Sequence, residues 1–180
     1  MSEKVRGARW VLFWTIALGG TVFDLATKSL IFSYVGPPHS RPVTLVANVL
    51  ELQTSYNPGA LWGMGRNLPY SSQIFAGLSV VAALAICYWL FVKGASADRR
   101  LTIALGLIMA GAMGNCYDRL FLGHVRDFMH FHVDRINFDC AIFNFADNML
   151  VAGAIILMFL ALRPEPVELP SPSAGPVHSA

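Results

Sequence analysis

The chain's 180 residues are 55% hydrophobic and only 13% charged, with a formal net charge of +2, whereas ordinary soluble domains carry roughly 25% charged residues. So few polar side chains cannot cover a water-soluble globule of this size, so the composition excludes one and favours a membrane as solvent. With no Lys/Arg cluster interleaved with aromatics, a nucleic-acid surface is excluded as well.

Uncharged stretches run from Trp10 to Phe23, Asn67 to Val92, Leu101 to Tyr117 and Asn148 to Leu162. About 20 helical residues cross the hydrocarbon of a bilayer, so the spacing predicts four transmembrane helices near 10–34, 71–92, 101–121 and 144–162. Span one follows Lys4, Arg6 and Arg9, as a cleaved signal peptide would. The small-residue pattern Ala17-Leu-Gly19 lies inside its apolar run, however, and the helix continues through Asp24 and Lys28 to Leu30–Val35. A retained membrane helix fits better.

Segment 36–70 alternates, with Leu50, Leu52, Thr54 and Tyr56 on one face and Glu51, Gln53, Ser55 and Asn57 on the other, which predicts a strand at the membrane surface. After span three, Met129, Phe131 and Val133 alternate with His130, His132 and Asp134. The expected fold is an all-α integral membrane protein: four transmembrane helices over residues 1–162, with a small extracytoplasmic β-strand region between spans one and two. Residues 163–180 hold five prolines among small and polar residues, so a disordered cytoplasmic tail is expected.

Basic residues set the orientation. Lys4, Arg6, Arg9, Lys93, Arg99, Arg100 and Arg163 fall on one side, which places both termini in the cytoplasm. Arg41, Arg66, Arg119, Arg126 and Arg135 fall on the other, so the asymmetry is clearest across span one. The three cysteines, Cys87, Cys116 and Cys140, have no metal-like spacing and read as small hydrophobes.

On this topology Asp24, Asn57, Asn115, Asp118, Arg119, Asp127, Asn144 and Asp147 all map to the outer half. Asp24 and Lys28 stand at i,i+4 and can neutralise each other in the membrane, more readily as a structural ion pair than as reacting groups. Asn115, Asp118 and Arg119 share nearly one helix face beside Gly111 and Gly114, which allow another helix to approach. That set serves either as an interhelical tie or as support for a catalytic group. Asn144 and Asp147, at i,i+3 where span four begins, have the spacing of a helix cap. Asp127 shares strand parity with the apolar positions, and a carboxylate turned away from water calls for a partner such as Asp147. Two close carboxylates do not both ionise easily, so one keeps a proton while the other stays charged, the state that activates water and protonates a leaving amine. A metal cluster of His124, His130 and His132 with Asp127 or Asp134 is disfavoured, because no ligand motif of the H-E-x-x-H kind is present.

Five blocks occur in order: Asp24-Leu-Ala-Thr-Lys28, Asn57-Pro-Gly59-Ala-Leu-Trp62, Gly114-Asn115-Cys-Tyr-Asp118-Arg119, Val125-Arg-Asp127-Phe128 and Phe143-Asn144-Phe-Ala146-Asp147. With them the chain resembles the bacterial lipoprotein signal peptidases (signal peptidase II) over nearly its whole length, the proline-rich tail excepted. The resemblance implies an aspartic endopeptidase with Asp127 and Asp147 as its dyad. It also implies substrate-binding or supporting roles for Asp24, Lys28, Asn57, Gly59, Asn115, Arg119 and Asn144; Asp118 is taken as structural. The implied substrate is a prolipoprotein whose cysteine already carries diacylglycerol, cut just before that cysteine. The implied setting is the bacterial inner membrane, with the site at the extracytoplasmic face, a monomer among membrane lipids, and no metal or organic cofactor. Leu61 and Trp62 stand where many relatives have Ala and Phe. Arg126 takes a usually apolar place, where it is expected to meet lipid head groups rather than to lower a carboxylate pKa. The rival is a non-enzymatic membrane scaffold or transporter, in which the same polar residues are structural ties or line a proton path.

Overall fold

The computed structural model describes residues 3–59, 68–94 and 98–162. Arg66, the Leu61 and Trp62 departures and the expected tail lie outside the described residues. Four helices form: α1 (Glu3–Val35), α2 (Ser71–Cys87, continued by a π-turn over Tyr88–Val92), α3 (Arg99–Leu122) and α4 (Phe145–Ala161). Each overlaps one of the expected spans. Among the described residues α1, α2 and α3 are long and apolar enough to cross a membrane, while α4 is a shorter apolar helix. Val22, Leu84 and Phe159 lie more than half exposed on the outside of the helices, as lipid-facing side chains do.

The centre of the protein is α3. Of its apolar stretch 67% is buried inside the protein, against 17% for α1 and for α2, so α3 is the helix the others wrap. Small residues make this possible. A Cβ on Gly111 would run into the backbone carbonyl of Ala146 on α4, and one on Gly114 would meet the carboxylate of Asp24 on α1. The close approach expected at these two glycines therefore joins three helices at one level. Towards the other end, Phe13, Ala17, Ile86, Leu90, Leu105 and Met109 form an apolar core. Trp10 stacks on Phe91 there, with ring centroids 3.7 Å apart.

At the opposite end from this core lies a four-stranded antiparallel sheet in the order β1 (Val43–Val46), β2 (Leu50–Asn57), β3 (Val125–Val133), β4 (Phe138–Asp139). The strand region is thus not confined to the segment between the first two helices; half of it follows α3. Gly123, at φ +78°, ends α3 in the left-handed conformation that glycine adopts without penalty and turns the chain into β3. Within β2 the expected alternation holds for buried Leu52 and Thr54 but fails at Tyr56, which is 47% exposed. The reason is a bulge. Leu52 pairs with Met129 and Ser55 with Asp127, so β2 spends one residue more than β3 between those pairs. The extra residue reverses the parity beyond it, so Asn57, opposite Val125, comes onto the face that carries Asp127.

Candidate active site

Asp127 reaches the centre of the molecule along β3, and Asp147 reaches it from the first turn of α4. The strand also positions the helix. Phe143 pairs with Met129, its N–H donating to the Met129 carbonyl at 2.9 Å and its carbonyl accepting from Met129 N–H at 2.8 Å. Asn144, the next residue, is therefore fixed beside β3 as it caps α4. Its side-chain oxygen accepts from Asp147 N–H at 3.0 Å, and its own N–H donates to Asp147 Oδ2 at 3.2 Å, a complete capping box.

The remaining Asn144 amide group faces Asp127 and donates to its Oδ1 at 2.6 Å. One fully buried asparagine thus holds both carboxyl groups. The cap expected of Asn144 and Asp147 is present, and the same asparagine also reaches Asp127. Asn57, brought round by the bulge, donates to Asp127 Oδ2 at 3.1 Å and takes the Gly59 N–H on its own oxygen at 3.0 Å.

Asn115 stands between Asp147 and a buried cation. Its side-chain oxygen accepts from Lys28 Nζ at 2.9 Å and from Asn144 Nδ2 at 3.2 Å, while its Nδ2 donates to Asp147 Oδ1 at 2.9 Å. An ammonium carries only donors, so Lys28 fixes which end of the Asn115 amide faces Asp147. Lys28 also lies 2.7 Å from Asp24 Oδ2 and 3.3 Å from Asp118 Oδ2, all three side chains having no exposure. Asp24 uses its other oxygen to accept the Ala146 N–H of α4 at 2.8 Å. That backbone partner was not visible in the sequence, because nothing in the local pattern pairs α1 with the start of α4.

Asp118 meets Lys28 and Arg126, and Arg126 corrects an expectation. Rather than meeting lipid head groups, Arg126 lies 2.8 Å from Asp118 Oδ1 through Nη2, and its backbone N–H donates to Asp118 Oδ2 at 3.0 Å. The guanidinium compensates a second buried carboxylate, giving two cations for two anions in the cluster of Asp24, Asp118, Lys28 and Arg126. Arg119 points elsewhere, donating to the Gly59 carbonyl at 2.9 Å, which ties the loop after β2 to α3. The metal set considered from sequence does not assemble whole: His124 packs on Tyr56 with ring centroids 3.9 Å apart and Asp127 belongs to the carboxylate network, while His130, His132 and Asp134 line one hollow on the sheet.

Asp127 is 2% exposed. Burial, with the neighbouring Asp147 charge second, outweighs the hydrogen bonds from Asn57 and Asn144 and pushes the Asp127 carboxyl up to about 7. Asp147 is the accessible member. It ends an apolar groove of about 440 Å³ between α2, α3 and α4, whose lining includes Phe75, Leu78, Ile108 and Val151, with Asn115 and Arg119 at the polar end. It also borders a second hollow of about 220 Å³ beside Cys140–Phe143. A carboxyl group at the end of an apolar groove, with a second one buried behind it that is able to keep a proton near neutrality, can activate water against a polar bond of a lipid-embedded ligand.

Known proteins are similar to this chain. The family model described as signal peptidase (SPase) II matches residues 16–163. Curated proteins named lipoprotein signal peptidase are similar. That of Rhodopirellula baltica is 35% identical over 83% of this chain and 71% of its own. The Methylocella silvestris protein is 34% identical over 90% and 88%, and the Geobacillus thermodenitrificans protein 33% identical over 88% and 96%. Two solved structures, each described as a bacterial membrane enzyme obtained by the in meso method, superpose with TM-scores of 0.72 and 0.73 at 27% and 28% identity. They cover 87% and 86% of this chain and 94% of their own.

Proposed function

Because the chain belongs to the signal peptidase II family, we propose that it is an intramembrane aspartic endopeptidase that removes the signal peptide from diacylglyceryl-modified prolipoproteins, cutting just before the lipid-modified cysteine. Asp127 and Asp147 are its dyad. The observation that carries this reading is the Asn144 clamp, which donates to both carboxyl groups at once.

The pair shares one proton, held on Asp127 at rest, while Asp147 carries the charge at the groove. The charged carboxylate takes a proton from a water as that water attacks the scissile carbonyl. The protonated carboxyl donates a hydrogen bond to the carbonyl oxygen as negative charge develops there. A carboxyl then returns a proton to the departing amine, and the dyad is restored with no cofactor consumed. Asn57, Asn115 and Asn144 orient the carboxyl groups, Arg119 holds the Gly59 loop, and the Asp24–Lys28 pair fixes Asn115. The groove, apolar along its length and polar only at its end, receives the membrane-embedded part of the substrate. Four spans with both termini in the cytoplasm put the dyad at the extracytoplasmic face of the inner membrane, where the modified cysteine lies. The whole site comes from one chain, in keeping with a monomer.

The test is cleavage of a diacylglyceryl-modified prolipoprotein by purified protein in detergent. Wild type is expected to release the signal peptide, and Asp127→Asn and Asp147→Asn are each expected to lose at least about 100-fold in rate, as for removal of a general acid or base, while remaining folded. Normal cleavage by either variant overturns the dyad. A wild type that fails to cut where a relative succeeds favours the scaffold or transporter.

A further inference from the structure

A second cluster lies on the sheet, away from the dyad. Glu51 of β2 is directly opposite His130 of β3, and His132 is directly opposite Asp139 of β4. Directly opposed and alternate residues share a face of a sheet, so these four side chains from three strands converge. One ligand atom each from Glu51, His130 and His132 lies within 4.8 Å of the other two. The hollow above them, about 270 Å³, is lined also by Asp134 and Asn137.

One buried nitrogen of each ring lacks a hydrogen-bond partner. His130 Nε2 lies 2.7 Å from Asp139 Oδ1, and His132 Nε2 lies 3.8 Å from Asp134 Oδ1. Both Nδ1 atoms are buried with no hydrogen-bond partner. A buried imidazole nitrogen without a partner is costly, and two of them beside a carboxylate form a donor set that a cation satisfies.

We propose that Glu51, His130 and His132 bind a divalent transition-metal ion of the zinc class. Two imidazole nitrogens and one carboxylate oxygen are the ligand types zinc prefers, with water from the hollow completing four-coordination. With each Nδ1 on the metal, the Nε2–H of His130 donates to Asp139, the outer carboxylate that commonly orients a metal-bound histidine. The ion joins β2 to β3 at a point three residues from Asp127, so its role is to hold the strand that carries Asp127, not to take part in hydrolysis. Sequence spacing pointed to the two histidines but hid their carboxylate, which arrives across the strand ladder from 79 residues away along the chain.

The test uses tag-free full-length protein in detergent, stripped with chelator and titrated with zinc chloride by calorimetry, with thermal unfolding followed in parallel. Wild type is expected to bind one ion per chain and to unfold at a higher temperature with zinc than without. His130→Ala, His132→Gln and Glu51→Gln are each expected to weaken binding at least 10-fold and to abolish the zinc-dependent shift. Asp127→Asn retains both, which separates this site from the dyad. Absence of saturable one-to-one binding by wild type overturns the proposal whichever variants fold, as does unchanged zinc affinity in the folded variants.

Discussion

A carboxyl group that keeps its proton to about pH 7 leaves a trace in stability as well as in rate. An ordinary aspartate titrates near 3.8, whereas folding raises Asp127 to about 7. Between those values the folded chain binds a proton that the unfolded chain has lost. The raised carboxyl therefore makes stability fall as pH rises through this window, by at most about 1.4 kcal/mol per pH unit, and the loss is complete above the folded value. Asp127→Asn removes this linkage. The thermal midpoint of wild type relative to Asp127→Asn is expected to decrease from about pH 5 to about pH 8; a constant difference would show that Asp127 titrates normally. Cleavage should decline on an alkaline limb near pH 7, an apparent value that belongs to the pair rather than to one aspartate. The charged neighbours obey a similar economy. Lys28 meets Asp24, Asp118 and Asn115, so each of its three N–H groups has an acceptor nearby.

Among the elements, the junction of α3 with α4 is the most sensitive, because the obstacle at Gly111 is backbone. A methyl group there meets the Ala146 carbonyl, which cannot rotate away. Gly111→Ala is expected to destabilise the protein by about 1–3 kcal/mol. It should also lower cleavage, since the bond from Asn115 to Asp147 lies one turn further along the same contact. Gly77→Ala on α2, where a Cβ meets nothing within 4 Å, supplies the control and should leave both unchanged or slightly raise stability. Thermal unfolding and cleavage rate of the two variants decide it; equal effects would remove the close approach as the cause. The helices, the Gly111 and Gly114 contacts and the Asp24–Lys28 pair were legible in the sequence because each follows from a local period or an i,i+4 spacing. The bulge in β2 was not, since it depends on a partner strand that arrives more than seventy residues later. Asn57 therefore read as a residue on the polar face of an alternating strand. Arg126 was misread for a related reason: its partner Asp118 lies across the α3–β3 turn, a geometry set by Gly123 rather than by helix or strand periodicity.

For the molecule as a whole, the helices gather their buried polar contacts at the sheet end and an apolar core at the other. The proposed orientation makes these two ends unequal in access from outside the cell. A cysteine introduced at His39, in the turn between α1 and β1, is expected to react with a membrane-impermeant thiol reagent in intact cells. One introduced at Gly94, between α2 and α3, should react only after the membrane is opened. The reverse pattern would invert the topology and put the dyad on the cytoplasmic side.

The Asn144 clamp also has a meaning for biosynthesis. Asp24, Lys28, Asn57, Asn115 and Asp127 all precede Asn144 and Asp147 along the chain, so a ribosome delivers every supporting group before it delivers the second carboxylate. Until α4 inserts and its cap closes on β3, the growing protein holds only one member of the proposed dyad, Asp127. Hydrolytic capacity would then appear in one step at the end of assembly, and an incompletely inserted chain would pass through the membrane's crowd of signal sequences without cutting any of them.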